Sequence, residues 1–545
     1  MTAADADADV VLPPADPARQ SRAAFKQSRI IIATGVVMAL VLAVPGQTVT
    51  NKYVNDLFIF LDGAYRIWMG QVPNVDFHSS LGPLVYYIPA LGYGIGGTLG
   101  AAMPIGMAFV TLGIALVAAH VVPSRMRPAL GIPLALYLVL IVAAPLNPGE
   151  GVREPSFGMF YNRMGWGALG LLLVMYLPPT RLGRTQGAAD AACAAVLMLV
   201  MLYLKISYGL VAVAFVIFML TDRRQWRWAA AALALVAGAG LMIELAWGGT
   251  ASHLADLKMA SEVSGDLPSF RILVLEVQRN LPEIAIYTLF AGLLLLKRPN
   301  VRDLVFLICC LLTGILLIEQ NFQIFGILTL GAGAAVAAEA SLRAPPAARP
   351  GLPLLLLAYI LPAILHFGIA LGLHSGLGLL RQGVELSLPN HSGIRLVRLW
   401  ADGHYPGFQR YDDSLRDGAA ALARLDDPER VLVLDFVGPF AAGLGLVPSR
   451  GDSTWHHWGR TIDAVHHLPP DDFFADAQIV MEPKAPIERW TTNGLLQVYG
   501  TALSERYRLV AETDFWRIYA AKTTARGLSR SGNMTTIMHS TTAQP

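Results

Sequence analysis

Between residues 47 and 99 the sequence gathers Asp56, Asp62, Asp76 and His78 in one segment that follows a long apolar run. A carboxylate held at the edge of an apolar environment loses hydration. Its proton affinity then rises, and it becomes able to take a proton from a hydroxyl. Asp56 suits that task, or could ligate a metal or an acceptor. Asp is also favoured at helix starts, so capping is the competing role. Asp62 stands four residues before Arg66, the spacing of an ordinary helical ion pair, with catalysis the less economical alternative. Asp76 closes the turn GQVPNVD, where a carboxylate can orient a hydroxyl, hold a divalent cation or satisfy the turn's own amides. His78 beside it reads as a ligand or as a solvated interfacial side chain.

These groups need a scaffold, and composition names it. The chain has 545 residues, of which 54% are apolar and only 15% charged, against about 25% charged in soluble domains. Mean hydropathy is +0.50. Long apolar runs joined by short basic loops make this a polytopic α-helical membrane protein, which excludes a cytosolic enzyme, a disulfide scaffold and a disordered chain. No basic block suggests nucleic acid. Cys193, Cys309 and Cys310 all lie in apolar runs, as small packing residues do.

Eleven spans are expected, near 30–46, 100–122, 129–146, 160–178, 188–204, 206–220, 228–247, 283–296, 304–318, 322–340 and 352–373. Arg125/Arg127, Arg181/Arg184, Arg223/Arg224/Arg227, Lys297/Arg298/Arg302 and Arg343/Arg349 then fall in every second loop, together with the N-terminus. By the positive-inside rule that side is cytoplasmic, and the longer loops and the C-terminal segment face outward. The apolar stretch 81–97 holds two prolines, several glycines and tyrosines. Counting it as a span would invert every later loop, so it is read as an outer juxtamembrane or re-entrant helix. Within the spans Glu244, Glu339 and His366 are the notable polar groups. Glu244 suggests a water-filled cavity near the outer surface, and Glu339 lies close enough to the cytoplasmic end to reach water. Residues 1–28 read as a disordered cytoplasmic N-terminus, 29–374 as the membrane domain, 375–522 as an outer α/β domain and 523–545 as a disordered tail. Strands are predicted at 430–436, 477–483, 508–512 and 515–521, with helices over 414–425 and 494–507. Residues 56–69 read as an amphipathic interfacial helix, with Leu57, Phe60/Leu61, Ala64 and Trp68 on one face.

At this segment the sequence resembles the first outer loop of the GT-C glycosyltransferases that use polyprenyl-phosphate-linked sugars, the protein O-mannosyltransferase and lipid A aminoarabinose transferase group. The matching residues are Asp56, Phe60, Ala64, Ile67, Trp68, Gly70, Asp76 and the run GPLVYYIPAL. The pattern departs where an acidic pair is usual (here Asn55-Asp56) and where tyrosine is usual (here Phe60). The resemblance covers about 45 residues in detail, and the overall plan of spans plus an outer α/β domain fits the same family. It implies a GT-C-like membrane domain in a bacterial inner membrane, a polyprenyl-phosphate-linked donor, and an envelope glycan, lipid or protein as acceptor. Asp56 would be the base; a divalent cation is the one cofactor left open.

A phosphate leaving group on the outer side calls for positive charge. Lys205, in LKISYGL, matches the family's lysine context and otherwise snorkels to the interface. Arg163, in FYNRMGW, could make bidentate phosphate contacts or anchor its helix. Glu150 and Glu154 share that loop and could serve acceptor or metal, or be solvated. Lys258 and His253 are weaker candidates. His456, His457, His466 and His467 could bind zinc or form a polar aromatic face. Two other functions compete: a lipid-linked saccharide flippase or exporter, and a non-catalytic module that binds carrier lipids.

Overall fold

A computed structural model describes residues 17–180, 185–265, 270–320, 323, 326–344, 351–400 and 403–522. The first sixteen residues of the expected disordered N-terminus, Arg181, Arg184, Arg349 and the tail from 523 lie outside the described residues. Helix α1 (Pro17–Ala43) begins well before the first apolar run. Residues 17–28 are therefore helical, correcting the expectation of an irregular segment up to 28. A proline in the first turn followed by Ala, Arg, Gln and Lys is a helix-forming sequence.

Two short helices, α2 (Val54–Trp68) and α3 (Leu84–Gly96), fill the connection to α4 (Leu99–Arg125). The bundle continues through α5 (Pro128–Ala143), α6 (Phe160–Val174), α7 (Gln186–Leu204), α8 (Ile206–Met219) and α9 (Trp226–Trp247). It then runs through α10 (Thr250–Ser264), α11 (Phe270–Arg279), α12 (Leu281–Lys297), α13 (Val301–Gln320), α14 (Leu328–Arg343) and α15 (Gly351–Leu379). Each expected span falls on a helix. Among the described residues, however, six helices (α1, α4, α7, α9, α13 and α15) are long and apolar enough to cross a membrane alone. A seventh span arises if α11 and α12, bent by 78° at their junction, count as one. Helices α5, α6, α8 and α14 have 14 to 16 residues, fewer than the ~20 that span a bilayer core. Helices α6 and α14 are buried along almost their whole length, which makes them interior helices.

The basic ends of the helices are tied by ion pairs. Arg125 contacts Asp190 at 2.7 Å, and Arg127 and Arg343 both contact Glu339, at 3.0 and 3.1 Å. Glu339 is therefore locked between two arginines, where the sequence suggested access to water. Glu244 accepts from the Thr250 amide (3.1 Å) and hydroxyl, capping α10 where a water-filled cavity was expected. His366 Nε2 meets the Glu150 carbonyl at 2.9 Å. The three cysteines are free thiols.

Helix α3, which lies in the stretch 81–97, packs on α2 and α4. A Cβ at Gly63 would sit 2.1 Å from the Tyr86 ring, and one at Gly92 would sit 1.9 Å from the Ala102 carbonyl. Glycine at those two points lets the three helices approach this closely.

The C-terminal region is tied to the first long connection by backbone pairing. Strand β1 (Thr48–Thr50) runs parallel to β3 (Ile394–Leu396), which pairs antiparallel with β2 (Val384–Glu385). These strands are too short to show a period of two, and sequence pattern does not reveal them. Helix α16 (Tyr405–Leu422) precedes β4 (Val431–Val433). After α17 (Phe440–Leu444) and α18 (Pro470–Phe474) come β5 (Ile479–Pro483), α19 (Arg489–Arg506), β6 (Tyr507–Glu512) and β7 (Trp516–Ala521). The second sheet has order β4-β5-β7-β6, with β4 and β5 parallel and the remaining pairs antiparallel. All four predicted strands are present. The buried strand residues Leu432 and Val480 pack with Phe473 and Tyr499, whose rings stack at 3.9 Å.

Candidate active site

Helix α2 is preceded by Tyr53, whose backbone is left-handed (φ 55°), and Asp56 lies in its first turn. The Asp56 carboxylate makes no hydrogen bond to that turn, nor to any other described residue, so it is not a cap. It is half-buried. Burial pushes its carboxyl up to about 7, with Arg460 pulling the other way and Glu488 adding to the rise. Four residues on, Phe60 packs edge-on against Phe160 (4.9 Å) and Tyr161 (6.0 Å) of α6. Lys205 occupies the break between α7 and α8 and places its ammonium 5.3 Å from the Tyr161 ring centre.

Tyr161 and Lys205 line a cavity of about 780 Å³, together with Ser207, Trp455, Arg460 and Thr461. Leu210, Leu254, Leu257, Leu316 and Leu317 give the cavity an apolar wall drawn from α8, α10 and α13. Cations and leucines lining one cavity suit a ligand with a charged head and a hydrocarbon chain. A smaller chamber adjoins it through Ser80, Ala260, Trp455 and Thr461, with about 30 Å³ of space, room for a water molecule.

The other acidic candidates are occupied. Asp62 accepts from Arg66 at 2.7 Å, and Arg66 reaches on to both Asp452 oxygens (2.9 and 3.0 Å) and the Ser449 carbonyl (2.7 Å). All three side chains are buried. The polar face of α2 is thus covered by the C-terminal region. Burial raises Asp452 to about 6 against the pull of Arg66. Asp76 accepts from the Val72 amide (2.8 Å) and pairs with Arg450 (3.2 Å), so it closes its turn and holds the same region. His78 meets Asp256 at 2.7 Å; burial disfavours its charge, but Asp256 outweighs that and holds the imidazole above its ordinary value. Glu150 accepts from Lys52 and from the Tyr53 hydroxyl, both at 2.6 Å, and Glu154 stands 3.5 Å from Lys52.

Arg163 is not a lining residue of the cavity. It is 0% exposed, lies 5.8 Å from the Phe157 ring centre, and none of its guanidinium nitrogens has a hydrogen-bond partner among the described residues. The histidines diverge: His456 packs on Phe473, His457 on Phe436, His466 against Asp463 and His467 on Tyr499. Among the described residues no group of three or more His, Cys, Asp or Glu is placed to hold a metal ion, so neither the divalent-cation nor the zinc expectation meets a fitting donor set.

Sequence reasoning misses Arg460. It is distant in sequence from every other lining residue except its neighbours in the turn, and its charge acts on both Asp56 and Lys205. The only local signal is WHHWGRT, an arginine set after a glycine turn in an aromatic stretch.

No family profile matches the sequence, and a search of curated proteins finds no relative. Among solved structures the fold is similar to ArnT from Cupriavidus metallidurans bound to undecaprenyl phosphate, at 14% identity and a TM-score of 0.43, covering 91% of this chain and 98% of that one. It is also similar to the arabinofuranosyltransferase AftD from Mycobacteria, at 14% identity and a TM-score of 0.41, covering 92% of this chain and 40% of that one. At this distance the residues of the site, not the likeness, carry the reading of function.

Proposed function

We propose that this chain is a membrane glycosyltransferase that moves a sugar from a polyprenyl-phosphate donor to a hydroxyl of an envelope glycan, lipid or protein. The observation that carries the reading is Asp56: a half-buried carboxylate without a hydrogen-bond partner among the described residues, pushed up to about 7 by burial and acted on by Arg460, which lines the cavity with the apolar wall. A carboxyl poised at about 7 is matched to proton abstraction at physiological pH. The acceptor oxygen attacks the anomeric carbon while Asp56 takes its proton. The bond from that carbon to the phosphate oxygen breaks, and the electron pair leaves on polyprenyl phosphate. Lys205 faces the departing phosphate, and the leucine wall takes the hydrocarbon chain. In this reading the chain is a multi-pass protein of a bacterial inner membrane, residues 29–374 form the catalytic domain, and 375–522 form a periplasmic domain that covers the site.

Reconstitution into liposomes with radiolabelled polyprenyl-phosphate sugars and an envelope extract tests the proposal. Wild-type protein is expected to label an acceptor, and Asp56→Asn to lose that labelling while remaining folded in the membrane. Translocation of the labelled lipid without transfer would replace the reading with that of a flippase, and binding without either event with that of a carrier-lipid module. Wild-type transfer by Asp56→Asn would remove Asp56 from the mechanism.

A further inference from the structure

We propose that Arg460 is a second cation for the donor phosphate, so that the C-terminal region completes the binding site as well as covering it. This rests on the transferase reading above and names a residue which that reading does not require. Arg460 sits on a tight turn in which Trp458 bridges to Ile462 and the Gly459 amide donates to the Ile462 carbonyl at 2.8 Å. Gly459 has φ +77°, a conformation that side chains disfavour, so glycine is what allows the turn. The turn is pinned at its base. The Trp458 amide donates to Thr491 Oγ1 (3.1 Å), and the His457 amide donates to Thr461 Oγ1 (2.9 Å). The guanidinium lies 5.2 Å from the Trp455 ring centre, which restricts how it can swing.

From this fixed base Arg460 lines the same cavity as Lys205, Lys258 and Glu319, three cations against one carboxylate. Lys205 and Arg460 are close enough for each to oppose the other's charge, and Arg460 also acts on Asp56. An anion bound in that cavity would meet two cations brought to it by separate parts of the chain. The reaction supplies one whose charge grows. The donor is a phosphodiester with a single negative charge, and cleavage of the sugar–oxygen bond turns it into a monoester that carries more. A cation pair fixed in advance is therefore worth more to the departing phosphate than to the intact donor. Arginine adds a planar fork that can hold two phosphate oxygens through parallel hydrogen bonds, a geometry that lysine's point charge lacks.

Farnesyl phosphate and farnesol are the probes, titrated by tryptophan fluorescence into the full-length protein in nanodiscs. The variants are Arg460→Gln, Arg460→Lys and Lys205→Gln, each with its melting curve. Arg460→Gln is expected to weaken farnesyl phosphate about tenfold, the scale of one lost charge-assisted contact. Farnesol binding and the melting curve should stay as in wild type, and Arg460→Lys should recover part of the loss. Wild-type affinity for farnesyl phosphate in Arg460→Gln, with the loss confined to Lys205→Gln, would overturn the assignment. An equal loss for farnesol would overturn it as well, because the effect would then not depend on phosphate. The two readings fail separately. Phosphate-dependent binding without sugar transfer sinks the transferase and leaves Arg460 in place; transfer with an Arg460→Gln affinity like wild type sinks only Arg460.

Discussion

Helix α2 carries Asp56 and Asp62, two aspartates in similar surroundings of opposite kind. Both are raised by burial. Asp62 spends its charge on Arg66, which joins Asp452 from the far end of the chain. Asp56 has no such partner among the described residues, and its only nearby cation, Arg460, acts on it through charge alone. A buried carboxylate with a matched cation holds elements together, because separating the pair strands a charge in low dielectric. One without a partner keeps its proton affinity for chemistry. Residue type alone does not separate the two roles; the partner does.

The sharpest way to break this comparison is to neutralise each aspartate in turn. Asp56→Asn should cost about 10²–10⁴-fold in transfer, the range for a positioned base, with no loss in melting temperature. Asp62→Asn should do the reverse and lower stability first. Transfer assays beside thermal melts decide, and equal behaviour of the two variants would erase the distinction.

Arg66→Ala comes next. It strands Asp62 and Asp452 and should destabilise the protein by about 3–5 kcal/mol, read as a lowered melting temperature and faster proteolysis between 384 and 522. Replacing the trio together by Leu, Met and Leu should recover most of that, since a buried ion cluster can be exchanged for apolar groups of like volume.

The acid limb of the pH profile sharpens the same contrast. If Asp56 is the base, kcat/KM should rise through about pH 7 and level off above it. The stability sign is opposite. The folded carboxyl binds its proton more tightly than the unfolded one, so this group's stabilising contribution is present at low pH and is lost as pH climbs from the ordinary carboxylate range to about 7. Asp56→Asn should therefore be as stable as wild type or more so above pH 7, a site kept for function at some cost in stability. The smallest effect is expected at Asp76. Its loss removes one turn contact and one pair with the largely exposed Arg450, about 1 kcal/mol, and should leave kcat/KM within about twofold of wild type.

Much of the fold is legible in the linear chain. Apolar runs of helix length, the i,i+4 spacing of Asp62 and Arg66 and the β-rich runs after 430 are local signals, and local signals need no knowledge of distant contacts. Prolines and glycines within 81–97 point to a short helix, and α3 is a short helix packed between α2 and α4. Other features depend on contacts that no spacing encodes. Strands β1 to β3 are too short for a pattern, and their pairing joins residue 48 to residue 394. The polar face of α2 suggests an interface with water, yet it is covered by Asp452 and Ser449. Arg163 carries a sequence motif and is buried away from the cavity, whereas Arg460 carries none and lines it.

By itself the sequence determined the class of the molecule, its helices and strands, and the short list of carboxylates, because hydrophobic burial and helix spacing act over a few residues. Which carboxylate was paired with a cation and which was left without a hydrogen-bond partner among the described residues, only the tertiary structure decided. Charge pairing across the fold depends on residues hundreds of positions apart arriving within a few ångströms of each other.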